Sequence, residues 1–516
     1  MSHVKSAPAS GGGLSRLGFL KMMVAGCATM SFTSLGRAQA TNDKKKMNAL
    51  FIAVDDLRTQ MGCYGQPQML TPNLDRLASR GLLFKRAYCQ QALCNPSRAS
   101  LLTGCRPDTT KVYDLKTHFR DALPDVVTLP QHFMNNGYFT RGMGKVFHRG
   151  LNDPPSWSVP WQNNGIGPEI AIDHADDFFT PQGIALMRKS ATEPGAERKR
   201  KIKALPWESP DVPDDYMEDG RLANFAVQAL GEMKGRGQPF FLAVGFHKPH
   251  LPFTAPKRYY DMYSPDRIKL APNPFAPKDA PAYALADSFE LRGYHGMPES
   301  GPLSDDQARE TVHHYYACVS YVDAQIGRVI DELGRLGVRD NTVIILWGDH
   351  GWKLGEHGEW CKHTNFENDA NAPLIISVPG QKNAGRQSNA LVEFVDIYPS
   401  LADLCGLPLP PHLEGTSFAP LIENPERPWK KAAFSQYPRS TDEFGRLMGY
   451  STRTDRYRFT QWKKSRGGEV AGVELYDHDK DPQENVNIAA RRENTSLVKE
   501  LAAMAAAGWR AALPPR

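Results

Sequence analysis

Unbroken apolar runs that stop abruptly at charged residues mark the main strands of this chain. Asn48–Val54 runs into Asp55 and Asp56, Phe240–Phe246 into His247, and Thr342–Trp347 into Gly348, Asp349 and His350. Runs that are apolar at every position, rather than at alternate ones, predict strands buried on both faces of a mostly parallel sheet. Between them, Asn73–Arg80, Arg221–Lys234 and Asp305–Leu336 carry apolar residues at intervals of three and four, the period of a helix with one buried face. Strands alternating with helices predict an α/β/α sandwich. From Ala432 the pattern changes to short alternating pieces, Met448–Thr452, Tyr457–Trp462 and Glu474–Asp477, followed by a helical stretch from Ser496 to Ala511. A catalytic domain over 41–431 and a smaller α+β subdomain with an antiparallel sheet over 432–516 are therefore expected. Pro154–Pro213 and Pro272–Gly301, rich in Pro, Gly and charge, predict long surface excursions of the kind that often carry function.

Composition narrows the classes. Of 516 residues, 41% are hydrophobic and 23% charged, enough for a large core and too apolar for a disordered chain. The formal charge of +5 points to an anionic partner, but Lys5, Arg16, Lys21 and Arg37 fall in the first 40 positions, which hold no acid. Without those four, 58 basic residues face 57 acidic ones, so binding of nucleic acid through a global basic field is excluded.

Residues 1–40 have the form of a targeting segment. Arg16 and Lys21 precede an uncharged stretch from Met22 to Gly36, and Ala38-Gln39-Ala40 forms an A-x-A cleavage pattern. Ser15–Lys21 resembles a twin-arginine signal in which Leu17 replaces the second arginine, leaving Tat-like and Sec routes open. A lipoprotein box ending at Cys27 is the weaker reading, because the apolar stretch between Lys21 and Cys27 is too short. No other run is long enough to span a bilayer. An exported protein, periplasmic or secreted, is expected. Seven further cysteines include no C-x-x-C pair, so neither a zinc ribbon nor a thioredoxin-like site is indicated.

Chemistry collects where the strands end. In open α/β sheets ligands bind at the carboxyl ends of strands, and Asp55, Asp56, Asp349 and His350 all sit there. Carboxylate oxygens in that number favour a hard cation, calcium or magnesium, over zinc. The segment Cys94-Asn95-Pro96-Ser97-Arg98 leads to Leu102-Thr103-Gly104, and Pro96 and Gly104 suit the two ends of a helix. Cys94 then sits at a helix N-terminus, which favours an anion, with Arg98 one turn further on. A phosphatase-type cysteine loop needs Arg six residues after Cys, and that position is Ser100.

C-x-P-S-R followed by L-T-G resembles the signature of type I sulfatases, in which the cysteine is oxidised to formylglycine (3-oxoalanine). Further blocks occur in the expected order: Asp55–Arg58, Gly62–Gly65, Gly144–His148, Phe246–His250, Gly348–Trp352, Gly355–Lys362, Ser435–Arg439, Met448–Ser451 and Glu474–Asp477. They resemble the iduronate-2-sulfatase branch over roughly residues 48 to 487. The resemblance implies an alkaline-phosphatase-like fold, one Ca2+, and a formylglycine-generating maturation enzyme as partner. Asp55, Asp56, residue 94, Asp349 and His350 match the calcium ligands, and Cys94, as hydrated formylglycine, matches the nucleophile. One hydroxyl of its gem-diol attacks sulfur and expels the alcohol; the second then collapses to the aldehyde and releases sulfate. The likeness assigns Arg98 to activation of that hydroxyl, and Lys145 and Lys362 to the sulfate oxygens. His247 becomes the acid for the leaving alcohol, and His148 the base that triggers release. General acid–base help of this kind is worth roughly two to four orders of magnitude in rate.

The implied substrate is a sulfated saccharide, with the 2-O-sulfate of uronate units in heparan- or dermatan-type glycans first. A uronate carboxylate calls for a second cationic subsite, for which Arg58, Arg439 and Arg446 are candidates by position. The connection from Arg439 to Met448 is shorter than in the branch it resembles, which leaves a sulfatase acting on another sulfated polysaccharide as the alternative. A phosphoesterase of the same superfamily would need a second set of metal ligands, and only one good set is apparent. A non-catalytic glycan-binding protein would have lost some of these positions, and all are filled.

Overall fold

A computed structural model describes residues 46–161, 178–192 and 204–515. The stretch 1–40 expected to be a targeting segment and part of the first excursion lie outside those residues. Among the described residues nine strands precede residue 432: β1 Asn48–Val54, β2 Leu82–Tyr88, β3 Phe139–Gly144, β4 Trp207–Glu208, β5 Phe240–Phe246, β6 Phe253–Thr254, β7 Thr342–Gly348, β8 Leu374–Ser377 and β9 Arg386–Glu393. Seven of them form one sheet in the order β3-β5-β1-β7-β8-β2-β9. Only β8 runs antiparallel to its neighbours, β7 and β2; every other pairing in the sheet is parallel. β4 and β6 pair separately.

Every residue of β1, β5 and β7 is buried, which is why these strands read as continuous apolar runs. The period of two along β1 divides its side chains between two cores. Leu50, Ile52 and Val54 pack with the helices Pro72–Ser79, Glu218–Gly235 and Asp305–Arg335. Ala49, Phe51 and Ala53 pack with Cys94–Thr103, Leu129–Asn135 and Ile397–Leu404 on the other side. The long helix Asp305–Arg335 opens with a capping box between Ser304 and Gln307.

The second sheet begins at Ala432 and holds β10 Ala432–Thr441, β11 Gly445–Thr454, β12 Tyr457–Lys464 and β13 Val470–Asp477 as an antiparallel meander. The helix Thr495–Ala507 packs Leu501 against Phe459 and Leu475 of that sheet. The seven cysteines among the described residues are free thiols.

A buried ionic junction ties the two sheets together. The Tyr88 hydroxyl, at the end of β2, donates to Glu367 Oε1 at 2.8 Å, while Arg453 Nε of β11 donates to Glu367 Oε2 at 3.1 Å. Arg458 of β12, 1% exposed, bridges Glu367 and Glu484, with its Nε 2.6 Å from Glu484 Oε1. Burial alone would raise both carboxyls, but Arg453 and Arg458 hold Glu367 well below its ordinary range, and Arg458 brings Glu484 down to about 2. The folded state therefore binds these protons less tightly than the unfolded chain. Their contribution to stability is complete above about pH 4.5 and is lost as the pH falls towards 2. Arg458→Met takes the guanidinium from Glu484 and leaves Glu367 with Arg453 as its cation, and is expected to cost about 3 kcal/mol at pH 7 in urea unfolding, a deficit that narrows as acid protonates the two carboxylates.

Candidate active site

Five strands of the first sheet deliver their following residues to one place. β1 is followed by Asp55 and Asp56, β3 by Lys145, β5 by His247, and β7 by Asp349 and His350. β2 leads through a short loop to the helix Cys94–Thr103, every residue of which is buried. The helix starts with Cys94 itself after an extended Leu93, and ends at Gly104 with φ +68°. Gly144, also at positive φ (+68°), and Gly245 let the ends of β3 and β5 approach closely. A Cβ on Gly245 would lie 2.2 Å from the Lys145 carbonyl carbon and oxygen, so a side chain there would displace the segment that presents Lys145.

Arg98 is 0% exposed and organises the carboxylates. Its Nε donates to Asp349 Oδ2 at 2.9 Å, one terminal nitrogen donates to Asp55 Oδ1 at 3.1 Å, and the other to the carbonyls of Lys145 and Val146. Lys145 pairs with Asp55 and lies 3.8 Å from Cys94 Sγ. Lys362 donates to Asp56 at 2.8 and 3.0 Å and to Glu290 at 2.8 Å, with its ammonium 4.8 Å from the centre of the Trp352 ring. Asp56 adopts a left-handed backbone (φ +57°), held by its N–H on Asp349 Oδ1 at 3.0 Å and by the Tyr315 hydroxyl on its carbonyl at 2.8 Å.

Electrostatics separate the two neighbouring acids. Burial would raise Asp55, but Lys145, then His250 and Arg98, hold it well below the usual carboxylate range. Burial pushes Asp56 well above that range against Lys362, with Asp55 and Glu290 adding to the rise. Burial and then the Lys145 ammonium push His148 down to about 3, and its Nδ1 is buried without a hydrogen-bond partner. His247 is lowered well below its ordinary value by burial and then by Arg149 and Lys248.

One ligand atom each from Asp55, Asp56, Cys94 and His350 lie within 4.8 Å of one another. His350 Nδ1 faces the Gly351 carbonyl at 2.9 Å, which only accepts, so the proton sits on Nδ1 and the Nε2 lone pair faces the cluster. That nitrogen is 3.3 Å from Cys94 Sγ and 3.4 Å from Asp56 Oδ1. Asp349 adjoins the group, with Oδ1 3.6 Å from His350 Nε2. Buried carboxylates with one unprotonated imidazole nitrogen suit a divalent cation.

The sulfatase family profile matches residues 47–407, and a second profile, N-sulphoglucosamine sulphohydrolase, C-terminal, matches residues 355–507. The chain belongs to the sulfatase family. It is 35% identical to human (Homo sapiens) iduronate 2-sulfatase over 93% of this chain and 97% of that protein, and 34% identical to the mouse (Mus musculus) enzyme over 90% and 94%. Among solved structures, the phosphonate monoester hydrolase of Agrobacterium radiobacter superposes with a TM-score of 0.70 at 24% identity, covering 90% of this chain and 96% of that one. The fold is the expected alkaline-phosphatase-like α/β sandwich, and this sulfatase is a sulfuric ester hydrolase. Sulfatases use a formylglycine and a divalent metal, and the buried group around residue 94 could hold such an ion.

The structure brings Asp55, Asp56, Cys94, Arg98, Lys145, Asp349, His350 and Lys362 of this sulfatase together, with His247 Nδ1 3.8 Å from Asp55 Oδ2. The three arginines expected near the sugar fare differently. Arg58 is engaged by Glu356 through two hydrogen bonds of 3.2 and 2.8 Å. Arg446 is exposed beside the β10–β11 turn, and Arg439 donates to the carbonyls of Tyr283, Leu285 and His363. Sequence reasoning left His250 undecided and missed Glu290 and His363. His250 Nε2 lies 3.9 Å from Asp56 Oδ2, and Glu290 belongs to the short helix Phe289–Arg292 inside the second excursion. A second potential ligand group, Asp56, His250 and Glu290, was also not foreseen, and the Lys362 ammonium bonds to both of its acids.

Titrating a divalent cation into the metal-free protein should raise its melting temperature, by about 2.7 kcal/mol of unfolding free energy at a hundred times Kd. Chelation should reverse the shift, and Asp55→Asn should weaken it at equal metal concentration.

Proposed function

We propose that this sulfatase removes the 2-O-sulfate of uronate units from heparan- or dermatan-type saccharides, using residue 94 as formylglycine and one Ca2+. The full set of acids, cations and imidazoles around residue 94, on a chain 35% identical to an iduronate 2-sulfatase along nearly its whole length, carries this reading. Asp55, Asp56, Asp349, His350 and an oxygen on residue 94 would hold the ion. When bound, it supplies Lewis-acid polarisation of the sulfate and of the attacking hydroxyl.

The chain's own residues do the rest. Arg98 holds Asp55 and Asp349 in place and adds positive charge behind residue 94, favouring an ionised hydroxyl there. Lys145 and Lys362, paired here with Asp55 and Asp56 beside residue 94, would supply the positive charge for the sulfate oxygens. His148, neutral in its buried position, is suited to accept a proton from residue 94 at the release step. His247 is assigned the leaving alcohol's proton. It is neutral before substrate arrives, and an anionic ester beside it raises its affinity for that proton.

We assign 41–431 to the catalytic domain and 432–516 to a subdomain that completes the pocket. Arg439 of β10, bonded to the His363 carbonyl one residue from Lys362, supports this. A formylglycine-generating enzyme is the expected maturation partner. Among the described residues no helix is long and apolar enough to cross a membrane, and the composition of residues 1–40 supports export to the periplasm or beyond.

Matured protein should release sulfate from a 2-O-sulfated uronate disaccharide and leave an amino-sugar 6-O-sulfate intact; the reverse preference would overturn the assigned sugar. His247→Ala should slow esters of poor leaving groups roughly 100-fold or more while sparing activated aryl sulfates. Equal losses on both would remove His247 from the acid role.

A further inference from the structure

The second excursion contributes one acid to the site, and its position has a use. Glu290 divides its carboxylate between two neighbours: Oε2 accepts from Lys362 Nζ at 2.8 Å, and Oε1 lies 3.1 Å from His363 Nε2. Its side chain is 16% exposed, whereas those of Lys362 and His363 are 1% and 3% exposed. His363 is itself tightly constrained. Its backbone has φ +93°, its ring stacks on Phe289 with centroids 4.8 Å apart, and its carbonyl accepts from Arg439.

Lys362 thus has two anionic partners with different fates. Asp56 belongs to the metal-ligand group, so a cation bound there competes for the same oxygens. Once Asp56 is so occupied, Glu290 is the acid left holding the ammonium. A lysine side chain has four rotatable bonds, and an ammonium without a fixed partner spreads over many positions. We propose that Glu290 is the positioning residue for Lys362. It keeps the ammonium aimed at the sulfate when Asp56 turns to the metal, and through His363 it locks the excursion to the sulfate end of the pocket. This rests on the reading that Lys362 clamps the sulfate.

The test is calorimetric binding of inorganic sulfate to the calcium-loaded, matured enzyme. Wild type is compared with Glu290→Gln, Lys362→Ala and the double variant, with Glu290→Asp as a second, charge-keeping variant. Glu290→Gln keeps the shape and removes the charge, and should weaken sulfate about 10-fold to 100-fold. Glu290→Asp should recover part of that loss. The double variant should bind no worse than Lys362→Ala alone, because Glu290 acts through Lys362. Weakened binding in Lys362→Ala with wild-type binding in Glu290→Gln would overturn this inference and leave the clamp standing. Fully additive losses would also overturn it, by showing that Glu290 acts independently. Wild-type binding in Lys362→Ala would overturn the clamp reading, and this inference with it.

Discussion

Three carboxylates and three cations share a small interior volume at the edge of the sheet, and that crowding constrains everything around it. Asp55, Asp56 and Asp349 are each 0% exposed, and Arg98, Lys145 and Lys362 are between 0% and 6% exposed. Charges taken out of water cost several kcal/mol each unless they are paired and hydrogen-bonded. The fold meets that requirement from all sides. Strand ends β1, β3 and β7 supply partners for one another, the helix at Cys94 supplies Arg98, and the long helix Asp305–Arg335 sends Tyr315 to the Asp56 carbonyl. Ser97 closes the last gap by donating to the Asp349 carbonyl. Each of these carboxylates has a cation at hydrogen-bond distance, so none is left unpaired in the interior.

Much of this was legible in the sequence, for identifiable reasons. β1 and β5 appear residue for residue as unbroken apolar runs because both faces of those strands are covered, and polar residues can begin only where the sheet ends. The chemistry at those strand ends was readable for the same reason. The helix at Cys94 was readable from Pro96 and Gly104, although it begins two residues before Pro96. The order β3-β5-β1-β7-β8-β2-β9 and the reversal of β8 were not readable, since most of the sheet's pairings join residues far apart in the sequence, such as Asn48 with Thr342 and Leu82 with Ile376.

What was not legible shares a cause: nearness in sequence does not give side-chain direction. Arg58 follows Asp56 by two residues, yet its guanidinium turns to Glu356 and serves the wall of the site. Glu290 lies in a Pro- and Gly-rich excursion whose only signal was its length, and it reaches Lys362 across 72 positions of chain. Arg446 sits exposed beside a tight turn between β10 and β11, so that arginine faces solvent. Asp55, Asp56, Lys145, Asp349 and His350, by contrast, are fixed directly after strands, where the end of an apolar run marks them.

The proposed function requires residue 94 to be the nucleophile only after oxidation. The most direct measurement is sulfate release by preparations in which the converted fraction of Cys94 varies, read from the mass of the peptide that carries it. Conversion exchanges sulfur for oxygen and removes two hydrogens. The account predicts turnover proportional to that fraction and extrapolating to zero at none. Turnover by protein whose Cys94 remains a thiol would contradict it.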